Sequence, residues 1–140
     1  TKDFKVEKVD NKIKISTENE KRAVKSLIGT NIANIRNAVE GAMKGFTYKI
    51  KVVYSHFPIT VKVEGKKVLI QNFLGERVPR VANIVGNSEV KIEGADITVT
   101  GNNLDEVSQT AGNIELAARI TGYDKRVFQD GCYIVSKGEE

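Results

Sequence analysis

The chain has 140 residues, of which 40% are hydrophobic and 29% are charged, and its net charge is +4. A chain of this length and composition can bury a core and form one domain or two small ones. It contains no apolar run near the roughly 20 residues that span a bilayer, and no signal-peptide core follows Thr1, so we expect a cytoplasmic protein. The single Cys excludes an intrachain disulfide framework and a zinc site built on cysteines.

The charge is distributed unevenly along the chain. Residues 1–70 contain 15 Lys and Arg against 7 Asp and Glu, a net +8, whereas residues 71–140 contain 7 against 11, a net −4. A lysine-rich first half is equally typical of a solvated surface and of a polyanion-binding surface. In the second half, contact with a polyanion requires local clusters, which the sequence offers at Arg77 with Arg80 and at Arg119 with Lys125 and Arg126.

The first predicted elements are a hairpin and a long helix. Apolar residues alternate from Phe4 to Ile15 on both sides of Asp10-Asn11, a pair that adopts tight hairpin turns. Thr17 with Glu20 fits a capping box, and apolar residues at three- and four-residue spacing from Val24 to Met43 predict a helix with its apolar residues on one face. Two glycines are candidate helix ends, Gly41 and Gly45.

A strand, a second hairpin and a loop follow the helix. Phe46 to Val52 alternates between apolar and polar residues, and Ile59 to Ile70 forms two alternating runs around Gly65. The loop from Asn72 to Arg80 places two arginines beside a proline that restricts the backbone. Guanidinium groups on a stiff loop suit phosphate oxygens better than they suit a core.

The second half repeats the order of hairpin, capped helix and extended segment. Val90 to Val99 predicts a hairpin around Gly94-Ala95, and Asn103 with Glu106 repeats the capping pattern. A helical stripe follows, and the chain then turns near Gly122 toward a tail with a second tight turn predicted at Asp130-Gly131. The stripe consists of Leu104, Val107, Ala111, Ile114 and Ala118.

The sequence offers little for catalysis or for cofactor binding. His56 is the only histidine and is read as a structural hydrogen-bonding residue, and Cys132 lies in a strand-like run as a small apolar residue. No phosphate-binding G-x-x-x-x-G-K-[ST] motif is present. We therefore expect no enzymatic activity, no cofactor, no metal site and no small-molecule substrate.

Three stretches carry a resemblance to a known family. Tyr54 to Val61 reads YSHFPITV, Asn72 to Glu76 reads NFLGE, and Arg126 to Val135 reads RVFQDGCYIV. In this order they resemble the signatures of the archaeal and eukaryotic branch of the ribosomal large-subunit protein L-six family. The chain resembles an N-terminally incomplete member, since it begins part-way through that family's first domain.

The resemblance implies an α+β fold of two similar small domains, each with antiparallel sheets packed on one helix. We place these domains at residues 1–54 and 57–140, joined at Ser55-His56. The implied function is structural: a component of the large ribosomal subunit that binds the 3′-terminal domain of large-subunit ribosomal RNA near the factor-binding centre and the stalk base, beside neighbouring ribosomal proteins. The second domain is expected to provide most of this binding.

The expected contacts are with phosphate and sugar of folded RNA rather than with stacked bases, because the chain has no Trp and few aromatic residues. The alternative is a non-ribosomal protein-interaction module, whose affinity would be far less sensitive to salt. The expected RNA-binding residues are Arg77, Arg80, Arg119, Lys125, Arg126 and Lys137.

Overall fold

The structure is a computed structural model and describes residues 4–137. The fold is α+β, with antiparallel sheets and two helices, as predicted. The outer ends of both predicted domains, residues 1–3 and 138–140, lie outside the described residues. The elements are β1 Lys5–Val9, β2 Lys12–Ser16, α1 Arg22–Met43, β3 Phe46–Val53, β4 Thr60–Glu64, β5 Lys67–Gln71, a short 3-10 turn Phe73–Gly75, β6 Arg80–Asn83, β7 Glu89–Glu93, β8 Asp96–Gly101, α2 Leu104–Ala117 and β9 Gly131–Lys137.

The chain divides into two compact units, and the first ends at Glu40. In it, β1 pairs with β2 around Asp10, whose positive φ of 53° confirms the predicted tight hairpin. Helix α1 begins later than predicted. The hydroxyl of Thr17 accepts from the Asn19 N–H and the Asn19 side chain accepts from the Lys21 N–H, so these local bonds replace the predicted capping box.

The apolar face of α1 is only partly buried. Leu27, Ile32 and Val39 remain 45%, 46% and 51% exposed. Among the described residues, the first unit contributes one two-stranded hairpin. A sheet of two strands is too small to bury a whole helix face.

The second unit, from Gly41 onward, contains the core. A four-stranded sheet has the order β7-β8-β3-β9, and a three-stranded sheet has the order β4-β5-β6. Helix α2 packs on both sheets, against β3, β8 and β9 of the first and β6 of the second. Its predicted stripe is confirmed: Val107, Ala111 and Ile114 are fully buried and Ala118 nearly so. Burial of this stripe against two sheets contributes to the hydrophobic stabilisation of the unit.

The repeated order of elements is observed, but its two copies are joined by strand pairing. Hairpin, helix and strand occur as β1-β2-α1-β3 and again as β7-β8-α2-β9. The last strands of the copies pair with each other, with Val53 opposite Gly131. Strand β3, which the boundary predicted at Ser55-His56 assigns to the first domain, lies between β8 and β9 in the four-stranded sheet. The alternation of apolar and polar residues along β3 indicates that one face is buried, but it does not predict which strands pair with β3.

This placement of β3 gives a test of the boundary at Ser55-His56. A fragment of residues 41–140 is expected to unfold cooperatively, whereas a fragment of residues 57–140 lacks β3, the strand that β8 and β9 share. Each backbone group left without its partner strand destabilises the sheet. Denaturant unfolding of the two fragments, followed by circular dichroism, compares them. A sharp cooperative transition for residues 57–140 would support the boundary predicted at Ser55-His56.

Candidate nucleic-acid interface

The guanidinium group of Arg80 contacts both an acidic and an aromatic side chain. It donates hydrogen bonds to both carboxylate oxygens of Glu76, at 2.9 and 2.7 Å, and its Cζ atom lies 4.3 Å from the ring centre of the buried Phe73. The hydrogen bond from Arg80 lowers the pKa of Glu76, and the same bond raises the pKa of Arg80. This bidentate pair with a cation–π contact fixes the guanidinium plane.

The same guanidinium connects the 72–80 loop to the end of α2. Its Nη1 atom donates to the carbonyl oxygens of Ala117 and Arg119, at 3.1 and 2.6 Å. These carbonyls lie at the helix C-terminus, where carbonyl groups lack intrahelical partners and cations are favoured. Most hydrogen-bond donors of Arg80 are therefore occupied within the protein. Arg80 is better placed to hold the backbone at Arg119 than to bind a phosphate directly.

Two of the predicted cations, Arg119 and Lys125, lie beside one cavity. Both line this cavity of about 320 Å³ between the end of α2, the following loop and the start of β9. Arg126 follows Lys125 and pairs with Asp124 at 2.9 Å, a contact that lowers the pKa of Asp124. This ion pair is solvent-exposed, so a phosphate can compete for Arg126 at little cost.

Two other predicted residues lie apart from this cavity. Arg77 is exposed on the 72–80 loop and bonds no other described residue. Lys137 is at the last position of β9, about 20 Å along the strand from Gly131 at the usual strand rise. The structure therefore groups Arg80, Arg119, Lys125 and Arg126 around one region and leaves Lys137 at the other end of the sheet.

The tail between α2 and β9 turns at Lys125 and Arg126, as predicted. The N–H groups of Val127 and Phe128 both donate to the Asp124 carbonyl oxygen, at 3.0 and 2.8 Å. The predicted second turn at Asp130-Gly131 is wrong, because Gly131 begins β9 and pairs with Val53. The turn at Asp124 leaves Lys125 and Arg126 exposed.

A buried carboxylate joins this tail to the segment after β3. Ser55 Oγ donates to Asp130 Oδ1 over 3.1 Å, and His56 Nδ1 lies 3.1 Å from the same oxygen. The His56 ring also stacks on Phe128 with centroids 4.4 Å apart. Burial raises the pKa of Asp130, but the hydrogen bonds from His56 and Ser55 outweigh it and hold the pKa below its usual value.

Sequence reasoning did not find this cluster, because its members are more than 70 positions apart. The pairing of Val53 with Gly131 brings them together, since Ser55 and His56 follow one strand and Asp130 precedes the other. A nucleophilic triad requires the serine on the ring nitrogen opposite the aspartate. Here Ser55 and Asp130 both lie beside Nδ1, so the cluster fixes the loop and does not activate Ser55.

Replacing Asp130 with Asn is expected to lower the free energy of unfolding by about 1–3 kcal/mol at neutral pH, since it removes a charged, buried acceptor. This difference in the free energy of unfolding between the two proteins should become smaller in acid. A carboxylate with a depressed pKa in the folded state stabilises above its unfolded pKa of about 3.9, and this contribution is lost as the pH falls through the lower folded value. Denaturant unfolding of both proteins across this range measures the difference. A difference that did not vary with pH would show that the carboxylate charge is not responsible.

The described residues offer no sign of metal or thiol chemistry. Within residues 4–137, no group of three or more His, Cys, Asp or Glu is placed to hold a metal ion. Burial raises the pKa of the Cys132 thiol to about 11, so it stays protonated at neutral pH and is a poor nucleophile. Neither described helix is long and apolar enough to cross a membrane.

A larger cavity of about 610 Å³ lies near the N-terminus of α2 and is less suited to a polyanion. Its walls carry one cation, Lys44, and two carboxylates, Glu89 and Glu106. Glu106 was predicted to complete a capping box with Asn103 and instead accepts from the Asn87 N–H at 3.2 Å. The balance of charge there is negative, so it would repel phosphate.

Comparisons with known proteins agree on one family. Residues 57–131 match the family model described as ribosomal protein L6. The chain is 48% identical over 132 residues to large ribosomal subunit protein uL6 of Archaeoglobus fulgidus, covering 94% of this chain and 67% of that protein. It is 49% identical over 140 residues to the uL6 protein of Methanosphaera stadtmanae, covering 93% and 76%. The uL6 protein of Desulfurococcus amylolyticus is 50% identical over 120 residues, covering 84% and 65%.

Proposed function

The chain belongs to the ribosomal protein L6 family, and from this membership we propose that it binds the 3′-terminal domain of large-subunit ribosomal RNA near the factor-binding centre and the stalk base. Proteins of this family are structural components of the ribosome rather than enzymes. The proposed partners are this RNA and the ribosomal proteins beside it, and the proposed location is the ribosome in the cytoplasm.

One structural observation supports the RNA-binding surface more than any other. The second half of the chain is net acidic, yet Arg119, Lys125 and Arg126 lie exposed around the end of α2 and the loop after it. Clustering of cations makes phosphate contact favourable through release of counterions from the RNA. We propose these three side chains and Arg77 as direct contacts, with Lys137 as a separate contact at the far end of β9.

Arg80 has a different proposed role. Its guanidinium holds the backbone at Ala117 and Arg119 and is bonded to Glu76, so we propose that it positions Arg119. An Arg80→Lys substitution keeps the charge but loses the planar group that bonds Glu76 and the two carbonyls together. It should therefore weaken RNA binding although the net charge is unchanged.

Replacing Lys125 and Arg126 together with Ala is expected to weaken RNA binding and to lower the slope of log affinity against log salt by about one to two, as for the loss of one or two phosphate contacts. Binding to a transcript of the 3′-terminal domain of large-subunit ribosomal RNA, measured at several salt concentrations, gives this slope. The matched control is Lys12→Ala with Lys14→Ala, an exposed pair on β2 that removes the same charge.

The control pair is expected to change affinity little. If it proved more damaging than the Lys125 and Arg126 pair, the binding surface would have to be assigned to the basic first half of the chain. If the unchanged protein bound the RNA with no dependence on salt, electrostatic contact with phosphates would be ruled out.

A further inference from the structure

The cavity of about 320 Å³ beside α2 is lined by apolar residues and by charged residues. Phe128 and Tyr133 contribute aromatic rings, and Leu116 and the buried Cys132 contribute apolar surface. Cavities that bind small organic groups have a volume of about 300–1,000 Å³, so this one lies near the lower limit. A phosphate-binding surface alone requires no apolar recess of this kind.

The cavity also carries charge suited to a nucleotide. The cations Arg119 and Lys125 line it, and neither bonds another described residue through its side chain. Two carboxylates line it as well. Asp130 is already bonded to Ser55 and His56, whereas the Glu115 side chain has no partner in the described part of the chain and can accept from an amino or imino group.

Hydrogen bonding and ring packing hold the aromatic walls of the cavity in place. The Tyr133 hydroxyl donates to the Gln129 carbonyl oxygen over 2.9 Å, which folds the ring over the loop. Phe128 is packed between His56 and Tyr123, with ring centroids 4.4 and 4.6 Å away. A recess with fixed walls loses little conformational entropy when a flat ring enters it.

We propose that this cavity receives one unpaired base of the bound RNA, with the adjoining phosphate held by Arg119 and Lys125. A base supplies a flat, weakly hydrated ring for the apolar wall, and its phosphate supplies the anion that the two cations favour. The inference rests on the proposed RNA-binding function and adds to it a site for one extruded nucleotide.

Leu116→Ala in the full-length chain tests this site. Leu116 is 65% exposed and lines the cavity, so its truncation should leave the fold intact and remove apolar wall. Affinity for large-subunit ribosomal RNA from Archaeoglobus fulgidus should fall about fivefold or more, because the truncation removes apolar surface against which the base packs. The salt slope should stay the same because a base contact releases no counterions. Arg119→Ala, by contrast, should lower the slope by about one.

The matched control is Val127→Ala. Val127 is 60% exposed on the same loop region but does not line the cavity, so this variant should bind RNA like the unchanged chain. A second measurement uses adenosine monophosphate and, for comparison, ribose phosphate, each titrated into isotope-labelled protein. The nucleotide should shift the amide signals of Ile120 and Cys132, and ribose phosphate should shift them much less.

The outcomes separate this site from the proposed function. The base site alone is overturned if Leu116→Ala binds RNA as tightly as Val127→Ala and if adenosine monophosphate does not shift the amide signals at the cavity. Absence of RNA binding by the unchanged chain overturns the proposed function. In that case the nucleotide titration still decides whether the cavity accepts a base.

Discussion

Replacing Ile114 with Ala is expected to lower the free energy of unfolding by about 2–5 kcal/mol. Ile114 is fully buried on the face of α2 that packs on the strands of both sheets in the second unit. Truncation removes three methyl or methylene groups and leaves a cavity that rigid strands on two sides cannot fill, so the cost exceeds the transfer term alone. Denaturant unfolding of the full-length chain measures the change.

Leu116→Ala is the matched control for this prediction. Leu116 is on the same helix, two positions away, and 65% exposed, so its truncation should change stability by no more than about 0.5 kcal/mol. If both substitutions had equally small effects, Ile114 would have to face solvent and the packing of α2 would be wrong.

Replacing Gly41 with Ala is expected to destabilise the second unit by about 3 kcal/mol or more, at or above the upper end for overpacking. Gly41 is buried near the end of α1, and a Cβ atom there would overlap the carbonyl oxygen of Asn102 and press on the Phe46 ring. The obstacle at Asn102 is backbone that joins β8 to α2, so it cannot rotate away as a side chain would. Thermal unfolding followed by circular dichroism measures the loss.

Gly29→Ala is the control in the same helix. A Cβ atom at Gly29 would meet nothing within 4 Å, and Ala in a helix interior is favoured over Gly by about 0.5–1 kcal/mol. The two substitutions add the same methyl group and should have opposite signs. If Gly41→Ala were also stabilising, the close approach of Gly41 to Asn102 would not exist in solution.

The candidate site shows what spacing along the chain can and cannot predict. The sequence supplied the exposed cations Lys125 and Arg126, because a turn after a helix keeps charged side chains in water. The sequence also identified Arg80 as a candidate site residue, but it did not predict what Arg80 does. That role depends on the carbonyl oxygens of Ala117 and Arg119, 37 and 39 positions away, and no local pattern encodes such a contact.

The sequence by itself determined the elements and the family. Period-two alternation predicted β3 and the hairpins, three- and four-residue spacing predicted the buried stripe of α2, and three motifs between Tyr54 and Val135 carried the resemblance. These features are local, since each is set by which side chains share one face of a strand or helix or by a short run of residues.

Only the tertiary structure decided which strands are neighbours. The pairing of β3 with β9 placed β3 in the second unit and put Ser55 and His56 beside Asp130. The structure also shows that Leu27, Ile32 and Val39 of α1 are half exposed, because the described part of the first unit contains only one two-stranded hairpin. Strand alternation specifies a buried face but not the partner at the strand's edge, since backbone hydrogen bonds are the same for every partner.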